Sequence, residues 1–311
     1  MTSTGTAFAR AALAGNPSDG YGGGVLAVCV GNFAATVKLG VTRGADRANA
    51  ASEPLRVDPP AAAALVGAAA ARHAAATGRT APWLYATVRT TIPREVGLAG
   101  SSAIVIATLR ALDTLLETRI PRAELPVLAL AAEADLGIAA GLQDRVAQAY
   151  GGLTAMTFGL DGSYRARPLE STRLPPLILA WDVRGAAPSG AYHGDLRARW
   201  AGGEPLVRRV MAALRKQAAC AAEAVERDDD DALGAAMDAS CDLRAALGPL
   251  DPRHVELVET ARRHGLAVNF AGSGGAVVAL CPAPDRLVAL REELERRGCR
   301  AEPVRLPPSR G

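Results

Sequence analysis

The sequence predicts an α+β protein built as two domains, and three observations carry that prediction. The chain has 311 residues, more than one ordinary domain. Strand-like patterns cluster near the start, helical patterns fill the middle, and the closing third runs helix, strand, loop, strand, helix, strand. That last order is the one of a split β-α-β unit with an antiparallel sheet.

Each element follows from its local pattern. "FARAALAG" and "GVLAVCVGNFAATVKLGV" read as strands, because apolar and β-branched residues lie on both sides of the turn-rich "GNPSDGYGGG". Residues 59–78 read as a helix, Pro82–Ile92 as a strand and Ser101–Glu117 as a long helix whose apolar residues recur at helical spacing. Helices are expected at Pro121–Leu136 and Asp144–Tyr150, and strands at "GGLTAMTF" and "PPLILAWDV". The intervening "GLDGSYRARPLESTRLPP" has the turn chemistry of a boundary. Helices then fit 204–227, 231–247, 252–264 and 284–297, with strands at "LAVNF", "AVVALC" and "CRAEPVRL". The acidic run Asp228–Asp231 reads as an exposed linker.

Composition narrows the function classes. A net charge of +3 and an aromatic content of 4% imply no nucleic-acid partner, although basic residues remain for a small anion. The five cysteines form no C-x-x-C pair and the four histidines are scattered, which argues against a disulfide framework or a zinc site and fits a reducing cytoplasm. No stretch reaches the roughly 18 apolar residues of a spanning helix, so a cytoplasmic protein without a membrane partner is expected.

Two glycine turns stand out. Gly97, Leu98, Ala99, Gly100, Ser101, Ser102 and Ala103 run straight into a helix, whose first amides and positive dipole end suit a phosphate; serine is equally an ordinary N-cap, and this pattern alone leaves both readings open. Only Lys38 and Lys216 are lysines and neither follows this turn, which excludes a Walker loop; the absence of G-x-S-x-G disfavours a serine hydrolase. The second turn, Gly272, Ser273, Gly274 and Gly275, joins two strands and is not a dinucleotide fingerprint. It is either a plain hairpin or a place where backbone closely approaches a ligand or the first turn.

Glu133 and Asp144 lie eleven residues apart. On one helix they would be about 16 Å apart, but Gly137 and Gly141 predict a break, so one carboxylate would end a helix and the other begin the next. A metal-holding carboxylate beside one that takes a hydroxyl proton is what phosphoryl transfer needs; two solvated acids at helix ends is the plainer alternative.

Taken together, "ARAALAGNPSDGYGGG", "IPREVGLAGSSAIVIATL", "AEADLGIAAGLQDRVAQAYGG" and "NFAGSGGAVVALCP" resemble, in the same order, the motifs of the GHMP family of small-molecule kinases. The resemblance runs from about Arg10 to Leu306. It implies a two-domain α+β GHMP kinase fold: a ribosomal protein S5 domain 2-like N-terminal domain at 1–170 and a ferredoxin-like C-terminal domain at 171–311. It further implies ATP and Mg²⁺, and a small sugar or uronate as partner.

The site residues follow from the same resemblance. Gly97–Ala103 would wrap the ATP phosphates, supported by Gly272–Gly275. Ser102, or its neighbour Ser101, would meet Mg²⁺ with Glu133. Asp144 would accept or orient the hydroxyl proton, Arg10 would stabilise the transferring phosphoryl group, and Asp19 would hold sugar hydroxyls. Within the family the chain is most similar to members that phosphorylate D-glucuronate at its anomeric hydroxyl, and a carboxylate calls for a guanidinium partner, with Arg197, Arg199 and Arg244 as candidates. The alternatives are a kinase for another alcohol, such as a hexose, a heptose phosphate or mevalonate, and a catalytically silent binder. The presence of Arg10, Ser102, Glu133 and Asp144 together argues against silence. His193 is read as structural.

Overall fold

The computed structural model describes residues 1–41, 55–80, 84–184, 190–281 and 283–307, with the side chains of 190–193 and 284 left out. Its chain contacts group into two compact units that are not consecutive in sequence. The first comprises Met1–Ala9, Phe33–Ile92 and Ala99–Ala149, and the second Arg10–Asn32, Pro93–Leu98 and Tyr150–Gly311.

In the first unit the sheet strands are the early part of β1 (Thr2–Ala14), the later part of β2 (Gly24–Val41), β3 (Leu55–Asp58) and β4 (Leu84–Thr90). β4 lies between β2, antiparallel with Val37 opposite Val88, and β3, parallel with Leu55 opposite Leu84. Among the described residues they are accompanied by α1 (Ala63–Thr77), α2 (Gly100–Leu116), α3 (Leu125–Ala134) and α4 (Gln143–Tyr150). α2 forms because Val105, Ile106, Leu109, Leu112 and Leu115 fall on one buried stripe. A Cβ on Gly5 would lie 1.9 Å from the Ala107 carbonyl oxygen, so glycine lets β1 lie directly on α2. The buried His73 joins α1 to α2 through Asp113 and Thr118 at 3.1 and 3.0 Å. Arg110 on α2 donates to Thr6 O and to Gln148 O and Ala149 O, which ties β1 and the last carbonyls of α4 to α2.

The second unit holds a four-stranded antiparallel sheet in the order β10-β7-β9-β8, from β7 (Leu177–Asp182), β8 (Val268–Phe270), β9 (Ala276–Leu280) and β10 (Cys299–Pro303). This is the arrangement expected from the closing split β-α-β pattern. Between β7 and β8 run α5 (Gly190–Ala201), α6 (Pro205–Glu226), α7 (Asp230–Ala245) and α8 (Pro252–Arg263), and α9 (Pro284–Arg296) precedes β10. Ile178, Phe270 and Val277 of the sheet share a core with Leu257 and Val258 of α8 and Leu290 and Leu294 of α9. A second cluster joins Tyr21 to Leu196 of α5 and to Val207, Met211 and Leu214 of α6. The unit also contains β5 (Leu153–Phe158) and β6 (Tyr164–Leu169), paired with Phe158 opposite Tyr164.

Several boundaries differ from expectation for identifiable reasons. β1 begins at Thr2, ahead of Phe8, because its small polar residues still alternate exposed and buried. The helix expected over 59–78 becomes regular only at Ala63, after a 3₁₀ turn over Pro60–Ala62 that follows Pro59. The supposed boundary 159–176 contains β6, whose "YRARPL" carries two arginines and a proline among six residues and so gives a weak strand signal. The strand expected over Pro82–Ile92 is observed as Leu84–Thr90; Pro82 and Trp83 lie outside the described residues. The short β3 and the helix α5 carried too weak a pattern to be expected.

Candidate active site

In the first unit the predicted break between the two acids is present. α3 ends at Ala134, Gly137 takes φ 72°, and α4 begins at Gln143. Glu133 is fully buried, whereas Asp144 is half-buried in the first turn of α4, where a carboxylate faces the positive end of the helix.

At the start of α2 neither serine serves as a side-chain cap. The N-cap position is Ala99, left-handed at φ 63° and ψ 47°, and no side chain caps the helix. Both serines direct their hydroxyls elsewhere: Ser102 donates to Ala99 O at 3.2 Å, and Ser101 donates to Glu133 Oε1 at 2.7 Å. The first turn also has no acidic residue. A non-glycine residue in the left-handed region costs on the order of 1 kcal/mol, and it persists here because Gln148 of α4 holds the Ala99 carbonyl at 2.9 Å and the Phe8 carbonyl at 3.0 Å. An uncapped helix start with small residues and no acidic residue of its own is chemically a place for an anion.

Glu133 has its second oxygen occupied as well. Arg145 donates Nε to Glu133 Oε2 at 2.7 Å, brings Nη2 onto the same oxygen, and donates Nη1 to Gly141 O at 2.8 Å. Arg145 Nη1 also stands 3.6 Å from Asp144 Oδ2. Sequence reasoning missed Arg145 and Gln148; the signal available for Arg145 was a basic residue directly after a candidate base.

In the second unit Arg10 is buried and donates Nη1 to Gly97 O at 3.1 Å and to Ala271 O. It thereby joins the loop before α2 to the glycine hairpin. A Cβ on Gly272 would lie 2.0 Å from Gly97 O, and one on Gly97, at φ 75°, would lie 2.8 Å from Gly274 O. Of the two readings of the hairpin, the close approach to the first glycine turn is the one realised.

Arg244 supports this hairpin from beneath. It is buried, stacks over Phe270 at 4.7 Å and donates to Gly272 O and, at 2.5 Å, to Ser273 O. Buried His254 packs against Gly274, and burial pushes its basicity down, with Arg253 and Arg244 adding to that effect against Asp251 and Asp182.

Asp19 lies buried in the 3₁₀ turn Ser18–Tyr21. The turn is anchored by Asn16, which donates to Phe270 O at 3.1 Å and accepts from Asn269, and by Ser18, bonded to Gly24. Arg199 is engaged with Glu204 at 2.8 and 2.9 Å and with Leu247 O. Arg197 is exposed on α5 with no ion pair among the described residues. The side chain of His193 lies outside those described.

Comparison with known proteins adds independent findings. A family model described as GHMP kinases N terminal domain matches residues 63–152, and one described as GHMP kinases C terminal matches 221–300. Glucuronokinase 1 of Arabidopsis thaliana is 34% identical over 343 aligned residues, covering 97% of this chain and 91% of that protein. Probable glucuronokinase 2 of the same plant is 40% identical over 235 residues, covering 71% of this chain and 63% of its own length. Among solved structures, L. major mevalonate kinase in complex with R-mevalonate superposes with a TM-score of 0.78 at 18% identity, covering 99% of this chain and 97% of that one. Lactococcus lactis galactokinase complexed with galactose gives 0.78 at 17% identity, covering 98% and 93%. These two establish a shared fold.

Proposed function

Because this chain belongs to the GHMP kinase family and is an ATP-dependent sugar kinase, we propose that it phosphorylates a uronate, D-glucuronate, at its anomeric hydroxyl to give glucuronate 1-phosphate. The observation that carries the phosphoryl-transfer chemistry is the uncapped start of α2, with Ser101 held to the buried Glu133. The choice of sugar rests on similarity to the Arabidopsis thaliana glucuronokinases.

In this reading the amides of Gly100, Ser101 and Ser102 receive ATP phosphate oxygens, and the Gly272–Gly275 hairpin braces the Gly97 end of the loop. The sugar hydroxyl oxygen attacks the γ-phosphorus, the bond to the ADP oxygen breaks, and the hydroxyl proton passes to Asp144. Arg10 offsets charge on the transferred group, and Asp19 orients sugar hydroxyls.

The donor set suits Mg²⁺. Two oxygens on neighbouring vertices of a Mg²⁺ octahedron lie about 2.9 Å apart, close to the 2.7 Å between Ser101 Oγ and Glu133 Oε1. Ser102, the other candidate hydroxyl, turns to Ala99 O. No group of three or more acidic, histidine or cysteine side chains suited to a metal occurs among the described residues, so ATP phosphates and water would complete the shell. Bound there, Mg²⁺ would neutralise charge developing between the β- and γ-phosphates.

The family-model segments, ending at 152 and starting at 221, support a domain division near 170. No described helix is long and apolar enough to cross a membrane, which is compatible with work in the cytoplasm. A neutral sugar is the second reading, because Arg199 and Arg244 spend their guanidinium groups on internal partners. In the uronate reading Arg197 is the remaining candidate for the carboxylate. ADP release over a panel of glucuronate, galacturonate, galactose, a heptose phosphate and mevalonate tests this. Turnover of glucuronate well above the rest, weakened by Arg197→Ala in KM alone, is the expected result; preference for galactose or another neutral alcohol overturns the uronate assignment.

A further inference from the structure

Arg145 lies between the two carboxylates of this phosphoryl-transfer reading. It is 2% exposed, and one guanidinium reaches three segments: Glu133 at the end of α3, Gly141 O in the connecting loop and Asp144 in the first turn of α4. Its planar fork takes Glu133 Oε2 through two nitrogens, which anchors that oxygen while the Ser101 hydroxyl holds Oε1. A buried ion pair is weak support for a fold, since its desolvation cost offsets much of the Coulomb gain and an apolar pair of similar volume packs as well. A fully buried arginine spent on one oxygen of a candidate metal-binding carboxylate therefore points to a task beyond packing.

We infer that Arg145 is a positioning residue for the transfer: it aims Glu133 Oε1 and, through the loop carbonyl and its proximity to Asp144, holds both carboxylates in one arrangement. The inference rests on the assignment of Glu133 to the metal and Asp144 to the proton. Substituting a partner that orients a metal ligand costs roughly 10–100-fold in metal affinity or activity.

The test uses the full chain and the variants Arg145→Met, Arg145→Lys and Glu133→Gln, with Arg72→Gln as a control that breaks only the exposed pair with Asp135. Calorimetry gives the Kd of ADP with saturating Mg²⁺ and with EDTA. The readout is the EDTA value divided by the Mg²⁺ value, because a purely structural defect lowers the melting temperature and the active fraction without moving it. In Arg145→Met the ratio falls roughly tenfold or more, and kcat falls in the same range while KM for the sugar stays within about threefold. Arg145→Lys keeps the charge but not the fork, and recovers the melting temperature without recovering the ratio. A folded Arg145→Met with the wild-type ratio, beside a Glu133→Gln that has lost it, overturns the role of Arg145 alone. A Glu133→Gln that keeps both ratio and turnover overturns the metal assignment, and the inference with it. Should Arg145→Met fail to fold, Arg145→Lys decides by the same ratio.

Discussion

Replacing Gly272 by alanine would place a Cβ 2.0 Å from Gly97 O and 2.8 Å from Arg10 Nη1. A carbon and a carbonyl oxygen normally rest at about 3.3 Å, so the hairpin and the loop must part by roughly 1.3 Å. The 3.1 Å bond from Arg10 Nη1 to Gly97 O crosses the same gap and would be stretched past bonding distance. Losing a hydrogen bond from a charged donor costs about 1.5–3 kcal/mol, and overpacking adds about 1–3 kcal/mol, so a loss of roughly 3 kcal/mol is expected after partial relaxation. At about 2–4 °C per kcal/mol the melting temperature should fall by about 6–12 °C. The Gly97 end of the proposed phosphate loop would move by about 1 Å, enough for roughly 10²-fold in turnover. Calorimetric melting and initial rates of ADP release measure both. A variant that melts within about 1 °C of wild type and keeps its kcat/KM within twofold would show that the two turns are not in tight backbone contact.

Asp144→Asn should lose nearly all turnover while binding ATP normally by calorimetry; retention of much of the rate would remove Asp144 from the base role. Arg244→Lys keeps a positive charge but not the fork that reaches two carbonyls, so it should destabilise by about 2–3 kcal/mol in thermal melts and raise KM for ATP; unchanged melting would leave the hairpin without its assigned support. His254 is buried and its pKa is depressed by burial, so its contribution is fully present above the unfolded value of about 6.5 and is lost as pH falls through the lower folded value. Wild type should lose thermal stability faster than His254→Gln as pH falls below about 7, and parallel curves would remove His254 as the source.

Much of the fold was legible because apolar periodicity survives the alanine-rich composition. β2 coincides with the expected strand over Gly24–Val41, and α2 differs from its expected span by one residue at each end. The glycine turns and the helix break between Glu133 and Asp144 were legible too, since glycine marks backbone that side chains would obstruct. β6 escaped because charges occupy its exposed face, and β3 because four residues carry too little pattern.

The sequence by itself determined the two-domain architecture, the ordered motifs and the candidates Arg10, Glu133 and Asp144 for phosphoryl transfer. What it left open was how each polar group is spent, because hydrogen-bond partners far apart in the chain leave no local pattern. Only the tertiary structure assigned Ser101 to Glu133, turned Ser102 back to Ala99, committed Arg244 to the glycine hairpin and placed Arg145 between two carboxylates. The reason is directional: a carboxylate or guanidinium has few bonding directions, and three-dimensional packing decides which partner occupies each of them.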